Sequence, residues 1–161
     1  MSSPGIIRAA TPDDIPVLSL LLATLFAQEA DFHPDLEKQS RGLSAIVEDP
    51  DIGRILLLQE ENAEGEPEIT GMVNLLFTIS TAEGGRVAIL DDLVVREDRR
   101  GGGRGSRLLQ AAIDTARQQA CLRITLNTDH DNADARRLYE KFGFHASLMQ
   151  PMRLMLPGKP S

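Results

Sequence analysis

The sequence predicts a mixed α/β (α+β) fold: one domain with a central, mostly antiparallel sheet flanked by helices. Three observations predict it. The apolar pattern alternates between helical spacing and extended runs in the order strand, two helices, three strands, helix, strand, helix, strand. Three of those extended runs are consecutive, which a doubly wound parallel sheet does not allow. The chain is 161 residues long, 42% hydrophobic and 25% charged, the size and composition of one ordinary globular core, so a single domain over residues 1–161 is expected.

Ile6 to Ala9 reads as the first strand. Thr11-Pro12-Asp13-Asp14 is a helix start, with an N-cap, a proline in the first turn and two acids against the dipole. Leu18, Leu21, Leu22, Leu25 and Phe26 follow at helical spacing, so this helix faces the core. A second helix is expected from Leu36 to Val47, after His33-Pro34 breaks the chain. Ile55 to Gln59, Ile69 to Ile79 and Val87 to Val95 are extended runs, separated by turn-rich segments from Glu61 to Pro67 and Ser80 to Gly85, the pattern of antiparallel hairpins. The next helix runs to about Ala120, with Leu108, Leu109, Ala112, Ile113 and Ala116 inward. Leu122 to Asn127 is a strand, Asp131-Asn132 caps a helix ending at Gly143, and Phe144 to Leu156 is expected to supply the last strand.

Charge and composition exclude several function classes. A formal charge of −7 argues against general nucleic-acid binding, which needs a basic face, and favours cationic substrates. The longest apolar run, Leu18 to Ala27, is far short of a bilayer span, and Met1 to Arg8 lacks a basic stretch followed by an apolar one. No membrane association and a cytoplasmic location are therefore expected. The lone Cys121 cannot form an internal disulfide and reads as a small buried hydrophobe. His130 and His145 have no metal-ligand spacing with another residue, and Asp129-x-Asp131 opens like a calcium loop that Ala133 and Asp134 then break, so no metal is expected.

Against the acidic background, Arg96 to Arg107 holds five arginines against Glu97 and Asp98, a local charge of 5 − 2 = +3 that would draw a small anionic ligand. Within it, Arg100-Gly101-Gly102-Gly103-Arg104-Gly105-Ser106 lies between the end of a strand and the start of a helix. Glycines let backbone approach a ligand closely, and the helix start offers unpaired N–H groups at the positive end of its dipole, so the loop suits a pyrophosphate. It is not a nucleotide P-loop, having no lysine before Ser106, and it lacks the third glycine of a dinucleotide fingerprint. An RGG-type RNA segment would be disordered rather than set between a strand and a periodic helix.

Arg100-x-x-Gly103-x-Gly105 resembles the R/Q-x-x-G-x-G/A coenzyme A loop of the GNAT superfamily of acyl-CoA-dependent N-acetyltransferases, and Leu93-x-Val95 resembles the end of the strand that precedes it. Asn132-x-x-Ala135-x-x-Leu138-Tyr139-x-x-Phe142-Gly143-Phe144 is similar to the family's second motif, at the expected distance downstream. One departure is Glu97, where the family often has proline. The resemblance implies a GNAT-like fold over nearly the whole chain and acetyl-CoA as cosubstrate. It implies that the amides of Gly101, Gly102, Gly103, Arg104, Gly105 and Ser106 hold the pyrophosphate beside Arg100, and that backbone at Leu93 and Val95 binds the pantetheine arm. It implies also that Asn132 and Ala135 contact the cofactor and that Tyr139 is the general acid. Asn132 as a helix cap alone, and Tyr139 as a core aromatic, are the plain alternatives.

Acyl transfer to an amine also needs a base. Asp91 and Asp92 interrupt an apolar strand, where paired carboxylates seldom stand without use. Successive strand side chains point to opposite faces, so both can meet a cleft only if a bulge lies between them. By resemblance to members that handle polyamine-like substrates, Asp91 is expected to be the base through water and Asp92 to anchor a cation. Glu29, Asp31 and His33 stand where the family's variable substrate wall falls, with Glu29 a candidate substrate contact. The expected activity is direct acetyl transfer to a primary amine of a small molecule or peptide. The alternatives are a non-catalytic acyl-CoA-binding sensor or interaction module, which would not need a phenol at the sulfur, and a nucleic-acid module using the arginines. The apolar Met149 to Leu156 segment suggests a homodimer edge.

Overall fold

A computed structural model describes residues 5–29 and 32–158. Its frame is one sheet in the order β1 (Ile6–Ala9), β2 (Gly53–Glu61), β3 (Pro67–Ser80), β4 (Gly85–Val95) and β5 (Ile124–Leu126). The first three pairings are antiparallel and β4–β5 is parallel, as a mixed but mostly antiparallel sheet requires. Helices α1 (Ile15–Gln28) and α2 (Leu36–Glu48) cover one face. Helices α3 (Arg104–Gln118) and α4 (Ala133–Lys141) belong to the other.

The central strands are apolar at successive positions because both faces are covered. Ile55, Leu57, Met72 and Val94 pack against Leu18, Leu21, Leu22 and Leu43 of α1 and α2. Leu56, Leu58, Val73, Leu75, Ala88 and Leu90 point the other way, onto Leu108, Leu109, Ala112 and Ala116 of α3. The spacing of the two helical stripes is that of residues three and four apart, which share a face. No described helix is long and apolar enough to cross a membrane.

Local chemistry fixes the connections. The amide of Thr11 donates to the Asp14 carboxylate at 2.7 Å across a single 3-10 turn, and Arg8 grips the same carboxylate with two bonds of 2.8 and 2.9 Å. Gln39 of α2 donates to the Ser19 carbonyl of α1 at 2.7 Å and accepts from the Asp35 amide at 2.8 Å, which fixes the end of the α1–α2 connection.

Two expectations are corrected. The last strand, expected from Phe144 to Leu156, pairs with nothing among the described residues: the segment is irregular, and Leu148, Met149, Met152, Leu154, Met155 and Leu156 are all exposed. β5 is shorter than Leu122 to Asn127, and its pairing with β4 stops at Leu90 and Leu126. Alternation of apolar residues marks a segment able to pair, but a strand forms only where another strand presents an edge.

Candidate active site

Gly101, Gly102 and Gly103 have φ of 89°, 65° and 78°, the left-handed region that glycine enters without penalty. A Cβ at Gly101 or Gly103 would meet nothing, so the glycines serve backbone conformation and an open surface rather than close packing. The ladder of α3 opens with Arg107 N–H donating to the Gly103 carbonyl at 3.0 Å, which leaves the amides from Gly101 to Ser106 outside it, at the positive end of the helix. Unpaired amides at a helix start suit a diphosphate, so the residues present fit the group expected there.

Its side chains do not form the free basic patch that the local charge of +3 suggested. Arg104 is forked onto Glu60 (Nε to Oε2 2.8 Å, Nη2 to Oε1 3.0 Å), Arg99 bonds Glu68 at 2.9 Å, and Arg96 bonds both Glu68 and Asp98. Arg107 donates to the Gly5 carbonyl at 3.0 Å. Arg100 is exposed, its one described bond a 3.5 Å contact with the Val95 carbonyl. Two of the counter-charges, Glu60 and Glu68, come from β2 and β3, far from the arginines in sequence.

β4 continues from Asp91 to Val95 after β5 has stopped, so the strands part there and the β4 edge at Leu93 and Val95 has no β5 partner. In the same stretch the register with β3 slips: the two-residue step from Met72 to Asn74 faces the three-residue step from Asp91 to Val94. The extra residue is a bulge centred on Asp92, whose φ of 54° is left-handed. Asp91 lies opposite Asn74, and the Asn74 amide donates to Asp92 at 3.3 Å. The bulge thus brings both carboxylates to the α1–α2 face, which strict alternation would forbid.

The electrostatics follow from that crowding. Burial, then the charges of Asp91 and Glu29, push the Asp92 carboxyl up to about 7 against the pull of the Asn74 bond. Asp91 is more open to solvent, yet surrounding protein still raises its carboxyl above the usual range. The half-buried phenol of Tyr139 is pushed up to about 12, by burial first and then by Asp91 and Glu29, so it stays protonated at neutral pH. Tyr139 stands in the last turn of α4, with its ring edge-on to Phe144 at 5.8 Å. Asn132 caps that helix, its Oδ1 accepting from the Ala135 amide at 3.2 Å, so the amide of Ala135 is occupied by the cap.

Glu29 ends α1, near enough to bear on both Asp92 and Tyr139. Phe32 stacks obliquely on Phe26 at 5.6 Å and lies under the Arg153 guanidinium, 5.2 Å from its ring centre. His33 is exposed on the same connection, and Asp31 lies outside the described residues. Among the described residues no cluster of three metal-ligating side chains occurs.

The acetyltransferase (GNAT) family model matches residues 18–144, a span holding the glycine loop, the bulged strand and Tyr139. The chain belongs to the GNAT family. A relative described as an uncharacterized N-acetyltransferase, YhfO of Bacillus subtilis (strain 168), is 37% identical over 126 residues, covering 76% of this chain and 80% of its own. The aminoalkylphosphonate N-acetyltransferase of Salmonella typhimurium (strain LT2) is 28% identical over 141 residues, 88% of this chain and 85% of its own. An integron cassette protein from the mobile metagenome of Cole Harbour Salt Marsh has the same fold, with a TM-score of 0.78 and 28% identity over 94% of this chain and 91% of its own.

Sequence reasoning missed two features of this GNAT chain. Asn74 is 4% exposed, and its Oδ1 has no hydrogen-bond partner among the described residues, although its amide points to Asp92. A polar residue inside Met72-Val73-Asn74-Leu75-Leu76 was the available signal. Glu60 and Glu68 gave no local signal at all, because each sits among other acids at a strand end.

Proposed function

We propose that the chain transfers an acetyl group from acetyl-CoA directly to a primary amine of a small molecule or peptide. The observation that carries this reading is the geometry at the parted strands: a β4 edge at Leu93 and Val95 without a β5 partner, next to a bulge that turns Asp91 and Asp92 to one face, with Tyr139 close enough to feel Asp91. Acetyl-CoA supplies an activated thioester. The amides of Gly101 to Ser106, with Arg100, hold its pyrophosphate, while Asn132 and Ala135 line the cofactor side at the start of α4. The open β4 edge at Leu93 and Val95 binds the pantetheine arm and polarises the thioester carbonyl.

An alkyl amine near neutral pH is only about one part in a thousand uncharged, so a proton must leave before attack. Asp92, with Glu29, receives the ammonium, and Asp91, the more open carboxylate, passes one proton to solvent. Tyr139 gives its proton to the departing sulfur, and the second proton shed by nitrogen restores the phenol. A module that merely sensed acyl-CoA would have no use for this acid–base pair.

The test is a panel of amines with acetyl-CoA, read as free-thiol release. Aminoalkylphosphonates belong in the panel because the Salmonella typhimurium relative is named for them. Amine-dependent thiol release is expected. Binding of coenzyme A without transfer to any amine would favour the sensor instead.

A further inference from the structure

We propose that Glu60 is a positioning residue for the cofactor, holding the phosphate loop in its binding conformation through Arg104. The proposal rests on the reading that the acetyl-CoA pyrophosphate sits on that loop. Glu60 and Glu68 are direct cross-strand partners on β2 and β3, an arrangement in which like charges repel. Both are largely buried, with side chains 11% and 20% exposed, so the repulsion is weakly screened and needs compensation. Among the described residues the compensating cations all come from the segment after β4: Arg104 forks onto Glu60, and Arg96 and Arg99 share Glu68. Thr70 completes the seat by donating to Glu60 Oε2 at 2.5 Å.

Arg104 is the first residue of α3, where a cation opposes the helix dipole and gains nothing unless it is paired. Its third donor group turns back to the Arg99 carbonyl at 3.0 Å. One guanidinium therefore ties together the sheet, the entry to the loop and the helix start, with the three left-handed glycines spanned between them. A run of glycines has much conformational freedom to lose on binding, and a clasp that removes this freedom beforehand raises affinity without touching the ligand. The fork draws Glu60 below the usual carboxylate range, so the clasp remains charged at neutral pH. Arg104 thus contributes geometry to the loop, and its charge is already matched by Glu60.

The test compares a ligand that has the pyrophosphate with one that lacks it. Glu60→Gln keeps shape and the Thr70 bond but weakens the fork. Coenzyme A binding followed by calorimetry should weaken about tenfold, and kcat/KM for acetyl-CoA should fall equally with kcat unchanged. The kcat/KM for S-acetylpantetheine should not move. Arg104→Gln should give the same loss, and the double variant no more than either single one, because the two residues act as a unit. Glu68→Gln, which leaves the Arg104 fork intact, should give a smaller loss in the same direction if Glu60→Gln does not fold. Unchanged coenzyme A affinity, or an equal fall with S-acetylpantetheine, overturns the proposal. So do additive losses in the double variant, which would make Arg104 a direct phosphate ligand. Wild-type protein that binds no coenzyme A would instead overturn the assignment of the loop.

Discussion

Replacing Asp92 by asparagine should make the protein more stable and less active, with the gain in stability confined to one range of pH. The folded protein raises this carboxyl from 3.8 to about 7, chiefly by burial. The folded state therefore holds the proton more tightly than the unfolded state does. Stability is greatest below the unfolded value, falls as pH rises from about 4 to about 7, and is level above that. A rise from 3.8 to about 7 sets an upper bound of about 4 kcal/mol; partial exposure of the side chain to solvent reduces this to about 2 kcal/mol. Asparagine tolerates the left-handed φ of 54° and can donate to the unsatisfied Asn74 Oδ1, so the bulge should survive.

The assay is thermal unfolding of wild type and Asp92→Asn at pH 4 and pH 8.5, with acetyl transfer measured in parallel. Any bond gained to Asn74 adds equally at both pH values, so the informative quantity is the difference between them. For a chain of this size about 2 kcal/mol corresponds to a rise of about 4–8 °C in Tm at the higher pH. The acceptor KM should rise, with acetyl-CoA binding unchanged. The same Tm difference at both pH values would refute the electrostatic argument. Unaltered amine kinetics would remove Asp92 from the acceptor site.

Three other outcomes are expected. Tyr139→Phe should lower kcat by about 10²- to 10³-fold with little change in the KM for acetyl-CoA, as loss of a proton donor used in the transition state requires; steady-state kinetics check it. Asp14→Asn should destabilise the protein by about 2 kcal/mol at pH 7, because Arg8 holds the Asp14 carboxyl down at about 2, and denaturant melts of variant and wild type should converge as pH falls from about 4 to about 2. The exposed leucines and methionines between Leu148 and Leu156 should be covered by a second copy in solution, giving concentration-dependent sedimentation that Leu154→Lys abolishes; monomer mass at every concentration refutes it.

The features legible in the sequence were those whose causes are local. A glycine run before a periodic helix states its own backbone conformation, and Leu108, Leu109, Ala112 and Ala116 state which face is buried. The bulge was foreseeable only as a condition, since two residues opposing one is a relation between β4 and β3 that β4 alone does not contain. The local charge of +3 from Arg96 to Arg107 is incomplete for the same reason: Glu60 and Glu68 offset two of the three from distant positions in the chain. The tail from Phe144 has the alternation of a strand, but β5 is three residues long and offers it little edge.

Where local rules are broken also carries information. Among the described residues the other buried polar side chains are satisfied: Gln39 bonds Ser19 and Asp35, Thr70 bonds Glu60, and Asp14 bonds Arg8 and Thr11. Of the two described non-glycine residues with left-handed backbone, Ala120 lies at the end of α3, where the next amide closes back on the Ala116 carbonyl at 2.9 Å. The other is Asp92. The unsatisfied Asn74 oxygen, the strained Asp92 and the repelling Asp91 all fall within two neighbouring strands, beside a phenol raised by the same charges. Such a concentration of broken local rules at one place is the pattern expected of a ligand site, and it supports the acceptor site proposed above. An unsatisfied acceptor oxygen beside two crowded carboxylates would be satisfied by a donor of N–H bonds that carries positive charge, so the proposed ammonium acceptor fits this place and an anionic acceptor does not.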